Sequence, residues 1–171
     1  METWDAITSR RNVRQFAGEP IDEPVVDRIL EAGRRAPSSR NWQPWDFVVV
    51  TDRAHLRELS TVGPGAFHLA DAAAAVALVI EDYDDPALRE RARYDVGQAT
   101  MAMLIAATDQ GVGSGHVGVQ DQAKAREVLG LPDDRRVAYM LDFGHPADRP
   151  LAPIRKPDRR PFDEVVHRGR W

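Results

Sequence analysis

The 171-residue chain has no cysteine. That excludes a disulfide framework, a thiolate nucleophile and any cysteine-held metal or iron–sulfur centre. Its five histidines (His55, His68, His116, His145 and His167) stand far apart, with no pair at the spacing that puts two imidazoles on one helix face. No metal site is expected. The longest apolar run, Ala72 to Ile80, is too short to span a bilayer, and Met1 to Arg10 lacks an apolar core like that of a secretion signal. A cytoplasmic protein without a membrane partner is expected. A basic excess is missing too. The formal charge of −4 argues against a nucleic-acid partner, because proteins that track phosphate backbones carry surplus positive charge. Lysine is almost absent, Lys124 and Lys156 being the only two among 23 basic residues. Arginines are therefore informative by placement rather than by number.

What remains is ordinary globular composition, 43% hydrophobic and 29% charged, with a length that suits a single domain over residues 1–171. Thr3 is placed to cap a short helix through Trp4, Ile7 and Arg10. Asp22 is placed to cap a second, with Pro24 in its first turn, a face of Val25, Val26, Ile29, Leu30 and Gly33, and a stop at Pro37. Asp46 to Thr51 reads as a strand and Arg53 to Ser60 as a helix. After a break at Gly63-Pro64-Gly65, Ala72 to Ile80 reads as a buried strand with a helical lead-in. From about Pro86 to Gln110 the stripe Val96, Ala99, Thr100, Met103, Leu104 and Ala107 predicts a long helix, in which Gly97, Ala99 and Ala102 permit close contact. A further helix runs from Asp121 to Gly130, a strand covers Val137 to Phe143, and Asp163 to His167 alternates like a terminal strand. Helices and strands mixed without a βαβ rhythm indicate an α+β fold.

Three segments carry chemistry. The richest is Ala36 to Trp45, APSSRNWQPW, where small polar side chains (Ser38, Ser39, Arg40, Asn41, Gln43) stand in a turn pinned by Pro37 and Pro44. Such a turn presents hydroxyls, amides and backbone N–H groups, which suits a flat polar heterocycle; it also suits a plain helix-to-strand connector. Near the N-terminus, Arg10, Arg11 and Arg14 surround Asn12 at the end of the first helix, where guanidiniums can converge on an anion or simply complement the helix dipole. A second basic stretch, Arg155 to Pro161, closes the chain. Between them, Gly113 to Gly118 spells G-x-G-x-x-G, but a helix precedes it where a dinucleotide fold requires a strand, so that reading fails.

Pro37, Ser38, Ser39, Asn41, Gln43, Pro44 and Trp45 resemble the flavin-binding signature P-S-S-x-N-x-Q-P-W of the nitroreductase-like flavoproteins. The R-R-x-x-R-x-F opening, the glycine turn after the long helix and the basic closing segment are similar to that family's motifs, in the same order. The resemblance implies a nitroreductase-like fold, a central, mostly antiparallel sheet flanked by helices in an intertwined homodimer. It also implies FMN as cofactor and NADH or NADPH as reductant. Arg10 would contact the flavin phosphate with Arg11 and Asn12 flanking it, Arg14 would face the ribityl chain or the N1/O2 edge, and Arg159 and Arg160 would complete the phosphate cage. Pro37, Ser38, Ser39, Asn41 and Gln43 would hold the ring. Val117 and Gly118 would bring backbone to N5, with His116 near the ring and a tentative proton donor. Where relatives carry Asn and Lys, this chain has Gly65 and His68. Glu81 to Tyr94 stands in place of the longer excursion that forms a lid in larger relatives.

The implied chemistry is ping-pong: reduction of the flavin by the nicotinamide, then reduction of a small acceptor such as a nitroaromatic, quinone or enone. No protein nucleophile is needed. On the dimer picture Arg10, Arg14 and Arg159 come from one subunit and Pro37 to Asn41 from the other, with Trp4, Trp171 and the long helix's stripe buried between subunits. Two other readings stay open: a biosynthetic dehydrogenase or deazaflavin reductase on the same fold, and a protein that stores or senses flavin without turnover.

Overall fold

A computed structural model describes all 171 residues. Four strands, β1 (Asp46–Val50), β2 (Ala74–Glu81), β3 (Gly113–Val117) and β4 (Arg135–Gly144), form one antiparallel sheet in the order β1-β2-β4-β3. The central strand β2 is buried from Ala74 to Ile80, because both sheet faces are covered. Its alternating side chains feed two cores. Ala74, Val76, Leu78 and Ile80 pack with α2 (Glu23–Arg34) and α4 (Pro86–Asp109). Ala75, Ala77 and Val79 pack with α3 (Arg53–Leu59) and α5 (Gln122–Leu129). A short first helix, α1 (Thr3–Ser9), lies on α4, and a one-turn helix, α6 (Phe162–Val165), stands near the end of the chain.

Local sequence explains the boundaries. Asp52, Asp85 and Asp121 cap α3, α4 and α5 by accepting backbone N–H bonds. Gly130 ends α5 in the left-handed conformation, φ 63°. The α+β class and the antiparallel sheet match expectation, but several details differ. Thr3 is the first helical residue rather than the cap, Asp22 makes no side-chain cap bond, and α2 ends at Arg34, short of Pro37.

The glycine segment read as a turn is instead strand β3. A Cβ on Gly115 would collide with Asp142 Oδ1 and lie 2.8 Å from the Val13 carbonyl, so glycine here serves close packing between extended segments. Asp163 to His167 forms no strand. It overlaps α6, pairs with nothing in the sheet and is exposed. The stripe Val96, Ala99, Met103, Leu104 and Ala107 is buried by the chain's own sheet and α2, not by a partner. Gly97 has no neighbour within 4 Å of a notional Cβ; the glycine at a helix crossing is Gly33, against Met103.

Candidate functional site

α1 ends at Ser9 and Arg10 turns extended, φ −63° and ψ 127°. The chain then runs beside β3: Asn12 bridges Ser114 in parallel, and Val13 N–H donates to the Ser114 carbonyl at 2.9 Å. This backbone register brings Arg10 and Asn12 to His116. Arg10 Nη2 donates to Asn12 Oδ1 at 2.6 Å and lies 3.1 Å from His116 Nδ1. The same Nδ1 lies 3.3 Å from Asn12 Oδ1, so it accepts from Arg10 in one neutral tautomer and donates to Asn12 in the other. Burial, then repulsion from Arg10, lowers the His116 pKa, and the Asp142 charge opposes them.

The pKa of Arg10 is lowered as well, by burial and then by the positive charge of Arg159. Two arginines from opposite ends of the chain thus come close enough for their charges to repel. Arg10 Nε, Ser9 Oγ and Ser114 Oγ are buried without hydrogen-bond partners. A phosphate monoester suits the two guanidiniums, because its oxygens accept from both and relieve the repulsion between the cations.

The remaining basic residues divide. Arg11 Nη2 donates to Asp148 Oδ1 at 2.7 Å and to the Arg149 carbonyl at 2.6 Å, which anchors the returning tail rather than joining the Arg10 cluster. That bond holds the Asp148 carboxyl below its usual pKa. Arg160 is engaged by Glu164 on α6, through its carbonyl at 3.0 Å and its carboxylate at 3.5 Å. Arg14 is exposed and makes no hydrogen bond or ion pair.

The Pro37–Trp45 segment is a strained turn. Arg40, Asn41 and Gln43 have φ of 53°, 57° and 51°, in the left-handed region that side chains with a Cβ rarely adopt. Gln43 N–H donates to Ser38 Oγ at 2.9 Å and Gln43 Nε2 to the Asn41 carbonyl at 3.0 Å. Ser39 N–H donates to Asp95 Oδ2 at 3.0 Å. The turn leads into β1, whereas the Arg10 cluster borders β3. His116, Leu141, Val76 and Val49 form one row across the sheet, so the two halves lie at opposite edges, about 14 Å apart or more at strand spacing.

Val117 is buried in β3 and Gly118 is exposed just beyond it. His68 is buried and paired with Asp142, whose second oxygen has no partner. Gly65 is exposed with open space around it. A cavity of about 700 Å³, lined by Ile21, Val26, Leu30, Val49, Arg53 and Ala74 among others, lies by α2 and the C-terminal end of β1 and includes no residue of either half. No cluster of three metal-ligating side chains occurs, and no helix is long and apolar enough to cross a membrane. Sequence reading missed Asp95 and Asp142. Asp142 carried a signal, as the lone acid in the apolar run Val137 to Phe143; Asp95 carried none, since α4 also holds Glu90, Asp109 and several arginines.

The pattern of the nitroreductase family matches residues 7–71 and 64–145. The chain belongs to the nitroreductase family. That membership bears out the resemblance carried by Pro37 to Trp45 and makes the protein an oxidoreductase. A relative from Archaeoglobus fulgidus, whose name pairs NADH dehydrogenase with NAD(P)H nitroreductase, is 31% identical over 174 residues, with 99% of each chain covered. The solved NADPH:FMN oxidoreductase of Vibrio harveyi, in complex with NAD+, superposes with a TM-score of 0.85 at 28% identity over 97% of this nitroreductase-family chain and 76% of that one. An FMN-dependent nitroreductase from Clostridium difficile shares the fold, with a TM-score of 0.84 at 22% identity, covering 97% and 98%.

Proposed function

We propose that this protein is an FMN-dependent NAD(P)H oxidoreductase that reduces a small acceptor such as a nitroaromatic, quinone or enone by a ping-pong cycle. The observation that carries the reading is Arg10, held by the α1–β3 register beside Asn12 and His116 and close enough to Arg159 for the two charges to repel. Arg10, Arg159 and Asn12 hold the phosphate. Arg11 flanks the site by tying down the tail, and Arg160 supports the segment that carries Arg159. Arg14, free of any other partner, adds positive charge toward the flavin's N1/O2 edge. Pro37, Ser38, Ser39, Asn41 and Gln43 would hold the ring edge, and the backbone at Val117 and Gly118 would approach its redox-active side. Bound FMN supplies hydride exchange at N5 between NAD(P)H and the acceptor. His116, exposed on β3 beside Arg10, is the candidate proton donor.

The separation of the two halves across the sheet supports a homodimer in which each site draws on both chains. So does the exposed apolar surface of Trp4, Tyr94, Phe162 and Trp171. The test begins with anaerobic reduction of the FMN-loaded protein by NADH and by NADPH, followed by an acceptor screen. Bleaching of the flavin colour, restored by an acceptor, is expected. A protein that takes up FMN without being bleached would be a binder and no enzyme; one that takes up no flavin overturns the reading. His116→Phe with turnover unchanged across pH removes His116 from the proton path.

A further inference from the structure

Asp95 lies on α4 among Ala92, Val96 and Ala99, fully buried, and no cation pairs with it. A carboxylate in such surroundings is costly unless hydrogen bonds engage it. It accepts two: Gln98 Nε2, one turn along its own helix, at 3.2 Å, and Ser39 N–H, from the turn, at 3.0 Å. We propose that Asp95 is a positioning residue that clamps the Ser38–Gln43 turn in the strained form that receives the flavin ring edge. The role rests on the flavoenzyme reading above.

Ser39 immediately precedes Arg40, where the chain enters the left-handed region, and Asn41 and Gln43 follow it there. Every other polar bond of the turn is internal: Asn41 N–H to the Ser38 carbonyl, Trp42 N–H to the Ser39 carbonyl, and the two bonds of Gln43. Internal bonds move with a turn and cannot fix it to the fold. Asp95 Oδ2 is the one side-chain acceptor from another element, and its helix is rigidly packed against the sheet. Strained conformations persist where the surroundings over-determine them; Trp42 packs the turn on the core and Tyr83, and the Asp95 bond is the polar constraint that fixes Ser39. The bond to Oδ2 gives Ser39 a single well-defined place.

Two measurements test this on the full-length protein. Amide hydrogen exchange on the flavin-free protein compares wild type, Asp95→Ala and Asp95→Asn. Asp95→Ala is expected to speed exchange at Ser39 to Gln43 at least tenfold while α4 away from the site stays protected. Asp95→Asn keeps one acceptor oxygen and is expected to hold exchange near wild type. Titration with FMN and with riboflavin then reads the site. Asp95→Ala is expected to weaken both about tenfold and leave their ratio unchanged, because the phosphate cage is intact; Arg10→Ala should weaken FMN alone. Unchanged exchange at the turn, or unchanged flavin affinity in Asp95→Ala, overturns the proposal. If Asp95→Ala does not fold, Asp95→Asn decides: tenfold weaker flavin binding with Ser39 still protected also overturns it. Wild-type protein that binds neither flavin sinks the flavoenzyme reading, while the exchange result still stands or falls on its own.

Discussion

Arg10 shows how one side chain can carry both structure and function. It bonds Asn12 and lies against His116, and the charge of Arg159 repels it. Replacing it with alanine removes charge-assisted bonds to a phosphate, each worth about 1.5–3 kcal/mol, so FMN affinity should fall roughly ten- to a hundredfold in a fluorescence titration. The same substitution lifts the repulsion on His116, whose pKa should rise toward the ordinary histidine value, as an NMR titration of its ring would read. His116 also has a stability signature. Its pKa is lowered on folding, so between the folded and unfolded values the unfolded chain binds more protons. Stability therefore rises with pH through that window and is lost as pH falls below the ordinary histidine value. His116→Gln should flatten this part of a denaturation profile taken at several pH values. The acidic side has its own contributor: Asp148, its pKa lowered by Arg11, supports the fold until acid protonates it.

Among the elements, β3 departs furthest from its sequence expectation. Gly113, Gly115 and Gly118 suggested a turn, yet the segment Gly113–Val117 pairs with β4 along its length. Glycine in a strand marks a place where backbone or side chain comes close, and here Asp142 and Val13 fill the space a side chain would take. Gly115→Ala should cost about 1–3 kcal/mol, measured as a lower denaturation midpoint, and should disturb the Asn12–Ser114 bridge that brings Arg10 to His116. The helices were more legible. Their periodicity and caps are local, so α2 to α5 fall within a few residues of where the sequence put them. The closing segment failed for the opposite reason. Alternation over Asp163 to His167 is consistent with a strand only if a sheet edge is available to pair with it, and within one chain none is used.

At the scale of the whole molecule, the two halves of the site lie at opposite sheet edges while apolar side chains at both ends of the chain stay exposed: Trp4 by 72%, Phe162 by 69% and Trp171 by 99%. Removing residues 162–171 should leave the sheet and helices folded, because nothing in either main core comes from them. It should also shift a dimer toward monomer in solution scattering and weaken FMN binding in parallel. Full-length chain found monomeric at micromolar concentration would count against the shared site. The sequence by itself determined the helices, the apolar strands, the strained polar turn at Pro37 to Trp45 and the basic character of both ends, because periodicity, caps and turn residues act over a few positions. The family resemblance already grouped Arg10 with Arg159; only the tertiary structure decided that Arg10 meets His116, that Ser39 bonds Asp95 and that the glycine segment is a strand. Those contacts join residues far apart in the chain through sheet register and helix packing, and no local pattern encodes which distant groups such packing will bring together.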